Sequence, residues 1–401
     1  MYIKMSNPKS IDSSIILQAY NWNSWRTQNK SYFKYLGSKS SEIKQDGIDF
    51  IWLPPCSKSV SPQGYMPLNL YDLNSEYGSE TELRNCVKSF RDNDIGVFAD
   101  IVINHRCAEF QNKDGIYNVF GGKLPWDDKT IVSNDTQFQG KGNHSDYKLF
   151  DGAPNIDHSQ RNVKDDLIQW MLWLKNDIGF DGFRFDFMTG IDPEYMREYF
   201  QNIEIDICIG EYWDNMEYDN GHLNYDQNAH RQRIVNWMDN SGKHAYAFDM
   251  TTKGILQEAL RNKEYWRLSD KTNRPPGLIG WWKEKSVTFL DNHDTHHLSQ
   301  NLWSFPQEHI VEGYSYILTH PGVPMIYWDD LNKAGLRDII VLLIELRKDK
   351  EITSCSNVDI VEADDKRYSA VIDKKIKITI GIYKDTTNFL FKTHNILIEE
   401  V

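Results

Sequence analysis

Apolar positions along the chain alternate between two kinds of pattern. Short runs rich in β-branched and aromatic residues cover 14–20, 48–53, 97–104, 180–187, 205–211, 244–249, 287–291 and 324–328, which is the length and make-up of buried strands. Amphipathic stretches fill the gaps; within 162–177, Val163, Leu167, Met171 and Leu174 fall on one face at helical spacing. Strands alternating with helices predict an α/β fold with a parallel sheet, and eight strands are the number that closes a (β/α)8 TIM barrel. The rhythm breaks from His105 to Ser159, where Gly121-Gly122, Gly140-Lys141-Gly142-Asn143 and many Asn and Asp residues predict a long irregular insertion after the third strand. After a helical run at 334–350 the period falls to two, in 358–362, 368–372, 376–380 and 395–398, which predicts a small antiparallel β-domain. The expected division is therefore a barrel from 1–104 and 160–350, an insertion domain at 105–159 and a C-terminal antiparallel β-domain at 351–401.

Charge enters this pattern at the strand ends. The apolar runs 179–187, 209–213 and 289–294 carry Asp186, Glu211 and Asp294, and burying an unpartnered carboxylate is costly, so three at strand ends need a reason other than packing. Side chains alternate along a strand, so Arg184 and Asp186 face one way, into the barrel, while Phe183, Phe185 and Phe187 face the helices. Barrels of this kind carry their chemistry where strands end. Paired carboxylates are the usual means of cleaving a glycosidic bond, one as nucleophile and one as proton donor. The plainer reading of Arg184 with Asp186 is a structural ion pair between strands. Asp100 reads as a buried support for its neighbours. The run 293–297, with three His and one Asp, also admits a zinc site, although no second His or Cys run completes a ligand set; His296 and His297 read as residues at the edge of the cleft.

Composition narrows the function further. A formal charge of −13 over 401 residues argues against nucleic acid, whose phosphates require basic patches. Aromatics make up 13% of the chain, with 13 Trp and 21 Tyr, and such rings stack on the C–H faces of sugars. Five scattered cysteines without a Cys-x-x-Cys pair indicate neither a disulfide framework nor a thiolate zinc site. No run reaches membrane-spanning length and residues 1–14 lack a signal-peptide core. As written, the chain reads as a cytoplasmic monomer; removal of a leader would make it secreted.

Four segments, Asp100-Ile-Val-Ile-Asn-His105, Gly182-Phe-Arg-Phe-Asp186, Gly210-Glu211-Tyr-Trp and Phe289-Leu-Asp-Asn-His-Asp294, resemble in order the four motifs of the α-amylases of glycoside hydrolase family 13. Longer runs resemble the plant (cereal) type: Gln63-Gly-Tyr-Met-Pro67, Asn224-Tyr-Asp-Gln-Asn-Ala-His-Arg231, Thr251-Thr-Lys-Gly-Ile255 and Tyr316-Ile-Leu-Thr-His-Pro-Gly322. The resemblance implies an endo-acting, retaining hydrolase of α-1,4-glucosidic bonds in starch- or glycogen-type glucans. It makes Asp186 the nucleophile, Glu211 the acid/base and Asp294 the transition-state stabiliser. Arg184 would hold Asp186 ionised, His105 and His293 would bind sugar hydroxyls, and Tyr65 would stack beneath the ring. Glu211 must keep its proton near neutral pH, so its pKa is expected to be raised. The resemblance further implies one calcium ion, with Asn104, Asn155, Asp146 and the carbonyl of Gly190 as ligands; Asn155 stands where the plant pattern has Asp. Trp281 and Trp282 match a surface glucan site, and Tyr383 a second one. Transfer of the glucosyl unit to another sugar, or glucan binding without catalysis, are the competing functions.

Overall fold

Eight parallel strands close on one another in chain order: β1 (Ile16–Gln18), β2 (Phe50–Trp52), β3 (Gly96–Ile101), β4 (Gly182–Phe185), β5 (Cys208–Gly210), β6 (Tyr246–Phe248), β7 (Ser286–Thr288) and β8 (Val323–Tyr327), with β8 pairing back to β1. This computed structural model describes residues 11–27, 31–297, 303–384 and 386–401. Residues 1–10, the start of the segment read for a leader, lie outside the described residues. Every predicted strand run overlaps one barrel strand, with β3, β7 and β8 starting one residue before their runs; helices such as Glu80–Asp92, Arg161–Trp173 and Met250–Asn262 fill the connections, and Leu336–Asp349 follows β8. The helix predicted over 162–177 ends in a widened turn, Leu174–Ile178, with π-type bonding. Among the described residues no helix is long and apolar enough to cross a membrane, and all five cysteines are free.

The barrel interior is layered by residue size. Phe50 and Phe98 stack with centroids 4.9 Å apart because their strand neighbours are glycines: Phe50 lies beside Gly96 and Phe98 beside Gly182. A Cβ on Gly96 would meet the Phe50 ring at 2.3 Å, and one on Gly182 would meet the Phe98 ring at 2.4 Å, so only glycine leaves room. Two residues onward the same faces present Trp52, Asp100 and Arg184, a polar layer above an aromatic floor. Outward, Phe185 packs edge-on against Phe200 of the helix Pro193–Asn202.

The predicted alternation holds through Asp186 and fails at Phe187. Phe187 adopts a left-handed backbone, φ 54°, so its ring turns away from the helices and meets Phe150 of the insertion at 6.1 Å. A non-glycine residue held there is strained, a feature concentrated at functional sites. The insertion folds around Arg106, a buried guanidinium that donates to the carbonyls of Leu68, Gly121 and Leu124 and lies 5.1 Å from the rings of both Phe120 and Trp126. The bridge His105↔Asn155 ties its two ends together, and Ile131↔Ile156 joins its middle to its C-terminal end.

The C-terminal strands β9 (Val358–Ala363), β10 (Arg367–Ile372), β11 (Ile376–Gly381), β12 (Phe391–Lys392) and β13 (Ile396–Glu400) form an antiparallel sheet in the order β9-β10-β11-β13-β12. It docks on the barrel through Tyr368, whose hydroxyl lies 2.8 Å from Nε2 of His320; His320 in turn stacks on Tyr316 at 3.8 Å.

Candidate active site

Arg184 organises the C-terminal mouth of the barrel. Its Nη1 donates to Asp100 Oδ1 at 2.8 Å and Asp186 Oδ1 at 2.7 Å, while Nη2 lies 2.7 Å from Glu211 Oε1. That last contact is an ion pair rather than a hydrogen bond, and neither atom has another hydrogen-bond partner. Strand order explains the convergence: β3, β4 and β5 are adjacent, and Asp100, Asp186 and Glu211 lie at or just past their ends. A bidentate, planar cation can serve several carboxylates at once; lysine could not. Asp100 is the most heavily bonded of them, accepting also from Tyr20 at 3.1 Å, Trp52 at 3.0 Å and Tyr65 at 2.7 Å. It fills the supporting place read for it in the sequence.

Glu211 faces the other side of the Phe187 turn, where its Oε2 accepts from the Phe187 N–H at 3.3 Å. Burial pushes its carboxyl well above the ordinary range; Arg184 opposes this, and Asp186 and Asp294 add to it. Burial likewise raises Asp294 to about 7, opposed by Arg184 and reinforced by Asp186 and Asp100, although its side chain keeps 23% exposure. Clustered carboxylates cannot all ionise, so this site holds protons at neutral pH. His293 is the reverse case: burial, then Arg184, drives its pKa well below normal. Gln18 donates to its Nδ1 at 2.9 Å, which places the ring proton on Nε2, 3.2 Å from Asp294 Oδ2. Sequence reasoning missed Gln18, whose signal is a polar residue inside the apolar run 14–20.

The remaining predicted contacts are more mixed. Tyr65 stacks on His293 at 4.8 Å and 5°, with Trp22 parallel to both at 6.2 Å, an aromatic wall beside the acids. His105 is buried, donates Nε2–H to the Tyr65 carbonyl at 2.8 Å and stacks under Phe150 at 3.9 Å. The histidines of 293–297 do not converge on one point: His293 turns to Gln18, while His296 packs against His297 with centroids 3.9 Å apart and its Nδ1 lies 3.8 Å from Asp329.

The Alpha amylase, catalytic domain family model matches residues 34–377. Alpha-amylase 3, chloroplastic, of Arabidopsis thaliana is 44% identical over 381 residues, spanning 94% of this chain and 42% of that protein. Probable alpha-amylase 2 of the same plant is 44% identical over 371 residues, 92% of this chain and 88% of its own length. The chain belongs to the α-amylase family. It is a glycoside hydrolase, and its similarity to both plant proteins agrees with the plant-type resemblance of its motifs. The solved α-amylase from Malbranchea cinnamomea shares the fold with a TM-score of 0.68 at 16% identity, over 94% of this chain and 86% of that one.

The residues expected to hold calcium, Asn104, Asn155, Asp146 and Gly190, do not all lie together. Asn104 Nδ2 donates to Asn155 Oδ1 at 3.3 Å, and Asn104 Oδ1 packs so close to Gly190 that a Cβ there would meet it at 2.2 Å. These three residues are together. Asp146 is not with them: its side chain is 93% exposed and pairs with His144. The carboxylate beside Asn155 is instead Asp135, buried, accepting the backbone and side-chain N–H of Asn155 at 2.9 and 2.8 Å. The surface of the insertion carries many acids, and burial against Asn155, not spacing, singles out Asp135. Asn104, Asp135, Asn155 and Gly190 offer hard oxygen donors with one buried anion, and this donor set fits calcium.

At the periphery, Trp281 is 40% exposed with Arg231 over one face at 3.7 Å, and Trp282 is half-buried. Tyr383 is half-buried and donates its hydroxyl to the Thr393 carbonyl.

Proposed function

We propose that this α-amylase family member is an endo-acting, retaining hydrolase of internal α-1,4-glucosidic bonds in starch- or glycogen-type glucans. The observation that carries the reading is the sharing of one guanidinium: Asp186 and Glu211 sit on adjacent nitrogens of Arg184, with Asp294 on the third side against His293. In the first step Asp186 attacks the anomeric carbon while Glu211 gives its proton to the departing glycosidic oxygen. In the second, Glu211 takes a proton from water, whose oxygen displaces Asp186. The raised pKa of Glu211 supports its role as donor at neutral pH. Asp294 and His293 would bind hydroxyls of the sugar at the cleavage point, and Tyr65 would form the apolar floor. Calcium, held by Asn104, Asp135, Asn155 and the Gly190 carbonyl, would supply structural charge between the barrel and the insertion. Trp281 with Trp282 would offer a second, surface contact for glucan.

Soluble starch provides the test. Wild type should destroy the iodine colour while few reducing ends have appeared, and reducing ends should then accumulate with starch alone; Asp186→Asn should do neither. Colour loss without net reducing ends would indicate transfer between sugars. An unchanged Asp186→Asn variant would leave only a glucan-binding role for this cluster.

A further inference from the structure

We propose that Lys253 is a positioning residue: its ammonium ties the loop that carries Glu211 to the turn that carries Asp294. This rests on the roles assigned above to those two acids. Lys253 lies in the first turns of the helix Met250–Asn262, and its side chain is completely buried. The ammonium donates to Trp303 O at 2.9 Å, Gln257 Oε1 at 3.0 Å and Asp291 Oδ1 at 3.5 Å. All three of its hydrogens are therefore used.

Two wires leave this point. Along the first, Asp291 Oδ1 accepts from the Thr295 hydroxyl at 2.8 Å, and Thr295 Oγ1 accepts from the Asn292 N–H at 3.0 Å. Asn292 Oδ1 then accepts the N–H of Asp294 at 2.9 Å, so the Asp294 turn is built on Asp291. Along the second, the ammonium sits 4.5 Å over the Trp303 ring. Trp303 stacks on Trp213 at 5.7 Å and 24°, two residues beyond Glu211. The helix also touches the Glu211 side directly, because a Cβ on Gly254 would meet Met216 Sδ, on the loop after Glu211, at 2.1 Å and Trp303 Cζ2 at 3.0 Å. For stability alone, an apolar pair of equal volume would serve as well as a buried ion pair. Geometry at two catalytic loops is what the charged pair adds, and misplacement by about 1 Å is enough to cost about 100-fold in rate.

The experiment compares Lys253→Met, Asp291→Asn and Asp186→Asn in the full chain on a soluble maltooligosaccharide. Folding is followed by circular dichroism and by the melting temperature. Positioning predicts that folded Lys253→Met loses about 100-fold in kcat while KM stays within about threefold of wild type. Asp291→Asn should show the same split, and it decides the matter if Lys253→Met does not fold. Unchanged kcat in a folded variant, or losses that merely track the unfolded fraction, would overturn the proposal. An inactive Asp186→Asn beside a fully active Lys253→Met would reject this inference alone; an active Asp186→Asn would reject the site assignment beneath it.

Discussion

Arg184 brings one positive charge to a pocket with four acids, and the balance decides which of them ionise. Removing it as Arg184→Met would strand Asp100, Asp186 and Glu211 without their cation, at a cost of roughly 3–5 kcal/mol by the rule for broken buried pairs. Denaturant melts should show that loss, together with loss of activity; an unchanged midpoint would contradict the role given to Arg184. Asp294 gives a pH test. A carboxyl whose pKa is raised by folding holds its proton more tightly in the native state. Its favourable contribution is complete below the unfolded value, about 3.9, and is lost as pH rises through the folded value, about 7. Asp294→Asn has nothing to lose, so it should melt above wild type at pH 8, with the difference shrinking toward pH 5. A difference that grows on acidification would be the wrong sign. At this scale Asp186, Glu211, Asp294 and the supporting Asp100 were legible because a carboxylate stands out in an apolar run. Gln18 and Asp135 were not, since an amide and one acid among many acquire meaning only from what folds against them.

Strands and loops differ in how far the sequence foretells them. All eight barrel runs were legible from β-branched and aromatic residues, yet most strands are only three or four residues long, because ladder pairing stops where the chain turns into its loops. Phe187 shows the limit: period-two alternation cannot anticipate a residue that the Glu211 contact holds at positive φ. The insertion was legible as irregular, but its centre was not, since Arg106 reads as an ordinary basic residue following a motif. Its three bonds to carbonyls, two of them fully buried, make Arg106→Met a change worth roughly 3 kcal/mol or more. Limited proteolysis should then cut within residues 105–159 faster than in wild type; equal rates would show that the insertion stands without its guanidinium. The proposed calcium site belongs to the same element. Chelation should lower the melting temperature of wild type and affect Asp135→Asn less, whereas equal shifts in both would remove Asp135 from the ligand set.

The molecule as a whole joins barrel and C-terminal sheet across a buried polar contact. His320 donates Nδ1–H to the Tyr316 carbonyl, so its Nε2 accepts from Tyr368, and burial keeps it neutral with a pKa near 3. Tyr368→Phe would leave that nitrogen unpaired, at about 1–3 kcal/mol, and should lower the melting temperature without altering the cleavage pattern. A changed product pattern would mean that the sheet reaches the cleft. Whether Asp186 and Glu211 act in turn on one anomeric carbon is read from proton NMR of the products in the first minutes of maltooligosaccharide cleavage, before mutarotation. Two successive displacements give new reducing ends that appear as the α-anomer; β-anomer appearing first would mean a single displacement by water.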